Sequence, residues 1–245
     1  MKYSIVITTF SKRLDSVCNL MKQIREHTNN QIILTINGEK NGNVNENYRK
    51  SILKFCSEHE NIFPIYFTEI RGLAKLWNSG TINSYEDNVL ILNDDLIVTD
   101  PKFFDECDEI VKQNKNMVLF NESFSHFFIN KKFLNEIGYF DEGLLGFGWE
   151  DNDMMMRYKE HTNQKIDIYN TYSIRNESSL LGHDDIQLMW GKYTLYNFEY
   201  FKTKYQNPVS RLYECGMRLK DEINPYPLES NFLNNKNLIF INENN

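Results

Sequence analysis

Three short runs of β-branched and aliphatic residues, at 3–9, 31–36 and 88–92, each stop abruptly at a polar cluster. The clusters are Thr8-Thr9-Phe10-Ser11, Asn37-Gly38 and Asn93-Asp94-Asp95. An apolar run without alternation predicts a strand covered on both faces, as in a parallel sheet. Leu14, Val17, Cys18, Met21 and Ile24 follow the first run at helical spacing, and Ser11 is placed to cap that helix. Strand, helix and strand with a short return make a βαβ unit with a right-handed crossover. The expected fold class is therefore α/β, a Rossmann-like, mostly parallel central sheet flanked by helices. In such open sheets ligands bind beyond the carboxyl ends of the strands. That rule brings the three polar clusters to one edge.

The remaining chain extends this plan. Helices are predicted at 14–27, 48–59, 73–84, 103–113, 131–137 and 150–161, with further strands at 62–68, 96–98, 117–120, 124–129 and 165–168. Residues 37–47 form a polar, Asn- and Gly-rich loop, residues 174–180 fit neither template, and 181–185 read as a polar turn. From 186 to 222 the chain is helical and rich in aromatics, with Lys192, Lys202 and Lys204 interleaved. Two readings stay open there: helices packing over the sheet domain, or a homo-oligomer or membrane-surface contact. The tail from 224 is Asn-rich and irregular. These features divide the chain into an α/β domain, 1–185, and a C-terminal helical extension with its tail, 186–245.

Composition narrows the function classes. A chain of 245 residues with 41% hydrophobic content can bury one sizeable core. Its net charge of -7 argues against a nucleic-acid binder, because such binding depends on Lys and Arg meeting phosphate. A nucleotide held through a divalent ion remains compatible, since the protein side then supplies carboxylates. Cys18, Cys56, Cys107 and Cys215 are widely spaced, which predicts reduced thiols and a cytoplasmic setting. The N-terminal run reads as a strand and not as a signal peptide, and no apolar stretch reaches the roughly 20 residues that span a bilayer.

Two acidic clusters carry the chemistry. In the stretch 138–158, four glycines precede Trp149, and Glu150, Asp151 and Asp153 follow it at once. This predicts a loop delivering three carboxylates to the first turn of a helix, where free N–H groups and the dipole favour them. Capping alone explains the acids; a general base beside an aromatic sugar platform also explains the glycines and the tryptophan. Asp94 and Asp95 either end a strand in a turn or face a cleft, where their mutual repulsion calls for a cation. His183 is either a surface residue or a neutral nitrogen ligand suited to Mn²⁺.

The pattern as a whole resembles nucleotide-sugar-dependent glycosyltransferases of the GT-A fold, close to the family 2 enzymes, over residues 2–185. Thr8-Thr9-Phe10 is similar to the family's nucleotide-contacting first strand. Residues 72–80, Gly-Leu-Ala-Lys-Leu-Trp-Asn-Ser-Gly, resemble its Gly-x-Ala…Asn-x-Gly helix. Asn93-Asp94-Asp95 resembles the Asp-x-Asp metal motif. Gly148-Trp149-Glu150-Asp151-Asn152-Asp153 is similar to the acceptor loop of β-1,4-galactosyltransferases and chondroitin-polymerase-like enzymes. Gly182-His183 resembles the Gly-His of polypeptide N-acetylgalactosaminyltransferases. Two positions depart: Asn93 replaces the first Asp of the motif, and Asn37 stands where many relatives carry an Asp for the base.

The resemblance implies an inverting, metal-dependent transfer of a hexose or N-acetylhexosamine from a nucleotide-sugar, UDP-linked by preference, to a glycan or glycolipid acceptor in surface polysaccharide synthesis. Thr8, Thr9, Phe10, Arg13, Asn37, Leu73, Asn78, Asn93 and Asp94 are the implied donor contacts. Asp95, Asp94 and His183 are the implied ligands of Mn²⁺ or Mg²⁺. Asp151 is the implied general base, with Trp149, Glu150 and Asp153 at the acceptor and the 143–148 loop closing over it. Two alternatives differ in class: a sugar nucleotidyltransferase, for which Lys12 and Arg13 supply basic residues without the usual glycines, and a non-catalytic sugar-binding homologue.

Overall fold

The computed structural model describes residues 2–10, 13–38, 45–177 and 184–205, without the side chains of 184–192 and 194. It divides into two compact units, Met1–Arg71 with Ser79–Lys131 and Asp167–His183, and Gly72–Asn78 with Lys132–Ile166 and Asp184–Asn245. Among the described residues no helix is long and apolar enough to cross a membrane.

The first unit is built on a seven-stranded sheet of order β3-β2-β1-β4-β7-β6-β8. Its strands are β1 (Ser4–Thr9), β2 (Ile32–Ile36), β3 (Ile62–Tyr66), β4 (Asn88–Asn93), β6 (Met117–Phe120), β7 (Ser123–Asn130) and β8 (Asp167–Tyr169). A separate pair joins β5 (Leu96–Val98) to β9 (Ile174–Asn176), which settles the ambiguous 174–180 segment as a short strand where it is described. Four of the six pairings in the large sheet are parallel; β7 runs antiparallel to β4 and β6. The expected mostly parallel α/β sheet is therefore present. Sequence reading had both strands of the β6–β7 hairpin but not their turn. Asn121 and Glu122 both adopt positive φ, 51° and 60°, the left-handed pair that a two-residue hairpin turn needs.

β1 and β2 are buried along their whole length because helices cover them. The helix α1 (Leu14–Arg25) buries Val17, Leu20, Met21 and Ile24, and α2 (Glu46–Glu58) adds Tyr48, Ile52 and Phe55 to the same core. α4 (Lys102–Lys112) inserts Phe103, Cys107 and Ile110. Each fully buried aliphatic side chain stabilises the fold by about 1.5–3 kcal/mol relative to exposure. The expected Ser11 cap lies outside the described residues; the N-cap position belongs to Arg13, with no side-chain capping bond.

The second unit holds α6 (Glu150–Thr162) and α7 (Asp184–Tyr205). Asp184 and Asp185, expected in a turn, open α7. The segment 206–245, with the expected tail, lies outside the described residues. α3 (Leu73–Ile82) and α5 (Lys131–Ile137) each run from one unit's segment into the other's.

Within the first unit, Gly80 shows how tightly α3 meets β1: a Cβ there would lie 2.3 Å from Val6 Cγ1. Gly80→Ala should lower stability by about 1–3 kcal/mol, as overpacking does, and Val6→Ala should restore part of it. Urea midpoints of the single and double variants check this; an unchanged midpoint for Gly80→Ala would contradict the packing.

Candidate active site

At the carboxyl edge of the sheet, parallel pairing sets β1 beside β4 with Thr8 opposite Asn93. Thr8 Oγ1 donates to Asn93 Oδ1 at 3.2 Å, and Thr9 Oγ1 donates to Asp94 Oδ2 at 2.8 Å. Tyr48, not singled out from sequence, reaches Thr9 from α2, the two hydroxyls being 3.3 Å apart. The cation that the Asp94-Asp95 repulsion called for comes first from the chain itself. Arg13 donates to Asp94 Oδ1 at 2.5 Å and lies 3.9 Å from Asp95 Oδ2. Burial pushes the Asp94 carboxyl up to about 6, even against the pull of Arg13 and the Thr9 hydroxyl. Burial raises Asp95 as well, with Arg13 opposing. Asp95 Oδ1 is buried without a hydrogen-bond partner among the described residues, while the Asp95 carbonyl accepts from Glu177 N at 2.7 Å.

Not every expected donor contact presents its polar atoms. Asn37 Nδ2 donates to Arg71 O at 2.9 Å, and its Oδ1 accepts from Gly38 N and Arg71 N. Its amide thus braces the end of β2 against residue 71. Asn78 likewise brackets the 140–142 backbone, donating to Phe140 O and Glu142 Oε1 and accepting from Phe140 N. Leu73 is buried, and its N–H donates to Gly146 O at 2.8 Å. Phe10 ends β1 half-buried, its carbonyl accepting from Arg13 N. His183 lies outside the described residues. Among those described, no group of three or more His, Cys, Asp or Glu forms a metal cluster.

In the second unit, the glycine loop does deliver the acids to a first helical turn. α6 starts at Glu150, directly after Trp149, which holds φ at 77° in the left-handed region. A bulky residue adopts that conformation only when its surroundings impose it. α7 supplies them. Asn197 Nδ2 donates to Leu145 O at 2.7 Å and Gly148 O at 2.9 Å, and Asn197 Oδ1 accepts from Leu145 N. The Trp149 ring packs on Phe198 and Phe201, with centroids 5.6 and 5.4 Å away. Glycine is required at 143 and 146 because a Cβ would strike the Tyr200 hydroxyl at 2.7 Å and the Tyr193 ring at 2.5 Å. The loop expected to close over a substrate is thus stapled to α7.

The acids differ sharply in environment. Asp153, expected beside the acceptor, is fully buried with both oxygens taken. It accepts from Arg157 Nε at 2.9 Å and from the Tyr205 hydroxyl at 2.8 Å, and Lys204 Nζ lies 2.6 Å away. Burial alone would raise its carboxyl, but Arg157 and Lys204 outweigh that and hold it below the ordinary range. Lys204 also donates to Asp141 Oδ2 at 2.6 Å, and Arg157 donates to the carbonyls of Ile137, Gly138 and Tyr139. Lys204, Phe201 and Tyr205 of the aromatic helix are all buried, against residues of the second unit. Glu150 is pushed up to about 8 by burial and by Asp151 beside it. Asp151 is half-buried and also raised by burial; its Oδ1 accepts from Asn152 N at 2.8 Å and from Asn152 Nδ2. At neutral pH Glu150 therefore keeps its proton, the two neighbouring acids being set apart by their environments.

No family model matches the sequence, and no curated protein matches it. Solved structures are similar in fold. S. aureus TarS 1–349 aligns at 11% identity and a TM-score of 0.55 over 86% of this chain and 77% of that one. A longer TarS structure is matched over 36% of its length. The mannosyltransferase PcManGT from Pyrobaculum calidifontis, in complex with GDP-Man and Mn²⁺, aligns at 9% identity and 0.62, over 86% of this chain and 66% of that one. Glucosyl-3-phosphoglycerate synthase from Mycobacterium tuberculosis, in complex with Mn²⁺, UDP and glucosyl-3-phosphoglycerate, aligns at 8% and 0.62, over 94% and 91%. These likenesses establish the GT-A-type fold.

The buried charges make two measurements decisive. Lys204→Met leaves Asp141 and Asp153 without their shared cation and should cost about 3–5 kcal/mol in denaturant unfolding; a loss under about 1 kcal/mol would show the network is dispensable. Glu150 holds in the folded chain a proton that the unfolded chain, with an ordinary pKa near 4.3, has lost. Its favourable contribution is complete below about 4.3 and disappears as pH rises through about 8. Glu150→Gln should therefore gain thermal stability over the parent progressively between those limits, with little difference at pH 4. Parallel melting curves across that range would contradict the assignment.

Proposed function

We propose that the chain is a nucleotide-sugar-dependent glycosyltransferase that moves a hexosyl or N-acetylhexosaminyl group to a glycan or glycolipid acceptor with inversion. Asp95 carries this reading. Two residues past the end of β4, Asp95 buries a carboxylate oxygen that has no hydrogen-bond partner among the described residues, near threonine and asparagine side chains and one arginine, an arrangement suited to receive something. Buried polar groups are otherwise satisfied. The fold supports the same reading, because structures sharing it were solved with UDP, GDP-Man and Mn²⁺.

A divalent ion fits that oxygen. Mn²⁺ or Mg²⁺ takes one or two carboxylates together with phosphate oxygens. Asp95 would hold it, with His183 as the proposed nitrogen ligand, while Asp94 keeps the Thr9 hydroxyl. When bound, the ion neutralises charge on the leaving nucleoside diphosphate. Thr8, Phe10 and Asn93 are the proposed direct donor contacts; Asn37 braces the end of β2, and Asn78 and Leu73 hold the 140–146 loop of the second unit. Asp151 acts as the base that removes the proton from the acceptor hydroxyl. Burial raises its pKa, which favours proton uptake. Glu150, protonated, offers the acceptor a hydrogen bond, and the Trp149 face gives the sugar ring a platform. A single base opposite the leaving group accounts for inversion.

Calorimetric titration with UDP and with GDP, each with and without Mn²⁺, tests donor binding. One nucleotide should bind in a metal-dependent way and lose that dependence in Asp95→Ala; a folded protein that binds neither would contradict the proposal. Asp151→Asn should leave donor binding within about twofold and reduce transfer by at least about a hundredfold, the usual scale of a general base. Near-parent transfer by Asp151→Asn would remove Asp151 from that role.

A further inference from the structure

We infer that Arg13 is a built-in counter-cation for the Asp94–Asp95 pair, and that it keeps a divalent ion from binding there until a diphosphate arrives with it. The inference rests on the glycosyltransferase reading and adds how that site is loaded.

Three observations carry it. Asp94 is saturated: Arg13 takes one oxygen at 2.5 Å and the Thr9 hydroxyl the other at 2.8 Å. The same Arg13 nitrogen lies 3.9 Å from Asp95, and the three side chains are exposed by only 12%, 2% and 12% for Arg13, Asp94 and Asp95. Asp95 nevertheless keeps one buried oxygen that no described residue reaches. An ion arriving alone would therefore gain one carboxylate and meet a permanent positive charge at close range, where water screens little. A diphosphate alters that balance. It brings anionic oxygens for the ion, and it offers the planar guanidinium a bidentate partner in place of Asp94. Ion and diphosphate should then favour each other's binding, and such coupling is reciprocal.

The alternative is that Arg13 only anchors the start of α1, in which case removing its charge lowers stability but leaves ion affinity alone. The test measures Mn²⁺ binding from the free-ion electron paramagnetic resonance signal, first without and then with UDP or GDP. The parent should bind Mn²⁺ alone weakly, and nucleotide should tighten it at least about tenfold, a modest fraction of what a close like-charge contact costs. Arg13→Met should bind Mn²⁺ alone at least about tenfold tighter than the parent and lose most of the nucleotide effect. Adding Asp95→Ala to it should abolish the gain, and Arg13→Lys, which keeps the charge, should stay near the parent. Equal Mn²⁺ affinity in the parent and Arg13→Met would overturn the inference. So would a parent that binds a nucleotide yet holds Mn²⁺ as tightly alone as with it, a result that needs no variant to fold. If neither nucleotide binds but Arg13→Met gains Mn²⁺ through Asp95, the counter-cation stands and the glycosyltransferase reading fails.

Discussion

The carboxyl edge of the sheet depends on one pairing, the parallel ladder between β1 and β4. Its register sets Thr8 across from Asn93, so the residues just beyond, Thr9 and Asp94, come within hydrogen-bonding distance. A slip of one residue would move every side chain to the opposite face of the sheet and part Thr9 from Asp94. Arg13 follows β1 after a short turn, which places its guanidinium at the acids without any contribution from distant loops.

The second unit answers a different physical problem: keeping a left-handed tryptophan and a first helical turn of acids in place. Its solution is a buried set of charges. Asp141, Asp153, Arg157 and Lys204 satisfy one another and the carbonyls of residues 137–139, while Asn197 pins the backbone from 145 to 148. Burying charges costs free energy that their mutual attraction does not always recover, so such networks are better understood as fixing one arrangement than as adding stability. Here the arrangement fixed is that of α6, whose first turn carries Glu150 and Asp151.

The sheet was largely readable from sequence because its strands are continuous apolar runs and its helices keep a 3.6-residue period. The β6–β7 turn was not, since Asn121-Glu122 lacks the glycine that usually marks a left-handed pair. The acidic clusters were visible as clusters, but their division of labour was not. Asp153 differs from Asp151 in the groups that reach it, Arg157 from its own helix and Lys204 and Tyr205 from α7, and the α7 partners are long-range information. The i, i+4 spacing of Asp153 and Arg157 was the one local sign of an ion pair. Arg13 was noticed as a basic residue near the first strand, yet its partner lies 81 residues away, so only the fold could join them. Lys204 was visible only as a lysine interleaved with aromatics; it is buried against Asp141 and Asp153, which are distant in sequence.

The central claim is that the sheet edge around Asp95 binds and activates a nucleotide-sugar. Many transferases release donor nucleotide slowly to water when no acceptor is present, so an assay needs no knowledge of the acceptor. A panel of UDP- and GDP-sugars incubated with the protein and Mn²⁺, with released nucleotide measured over time, tests the claim most directly. The account predicts release from one nucleotide class, above the protein-free rate, and its loss in Asp95→Ala. Release from none of the panel, or release that persists in Asp95→Ala, would contradict it.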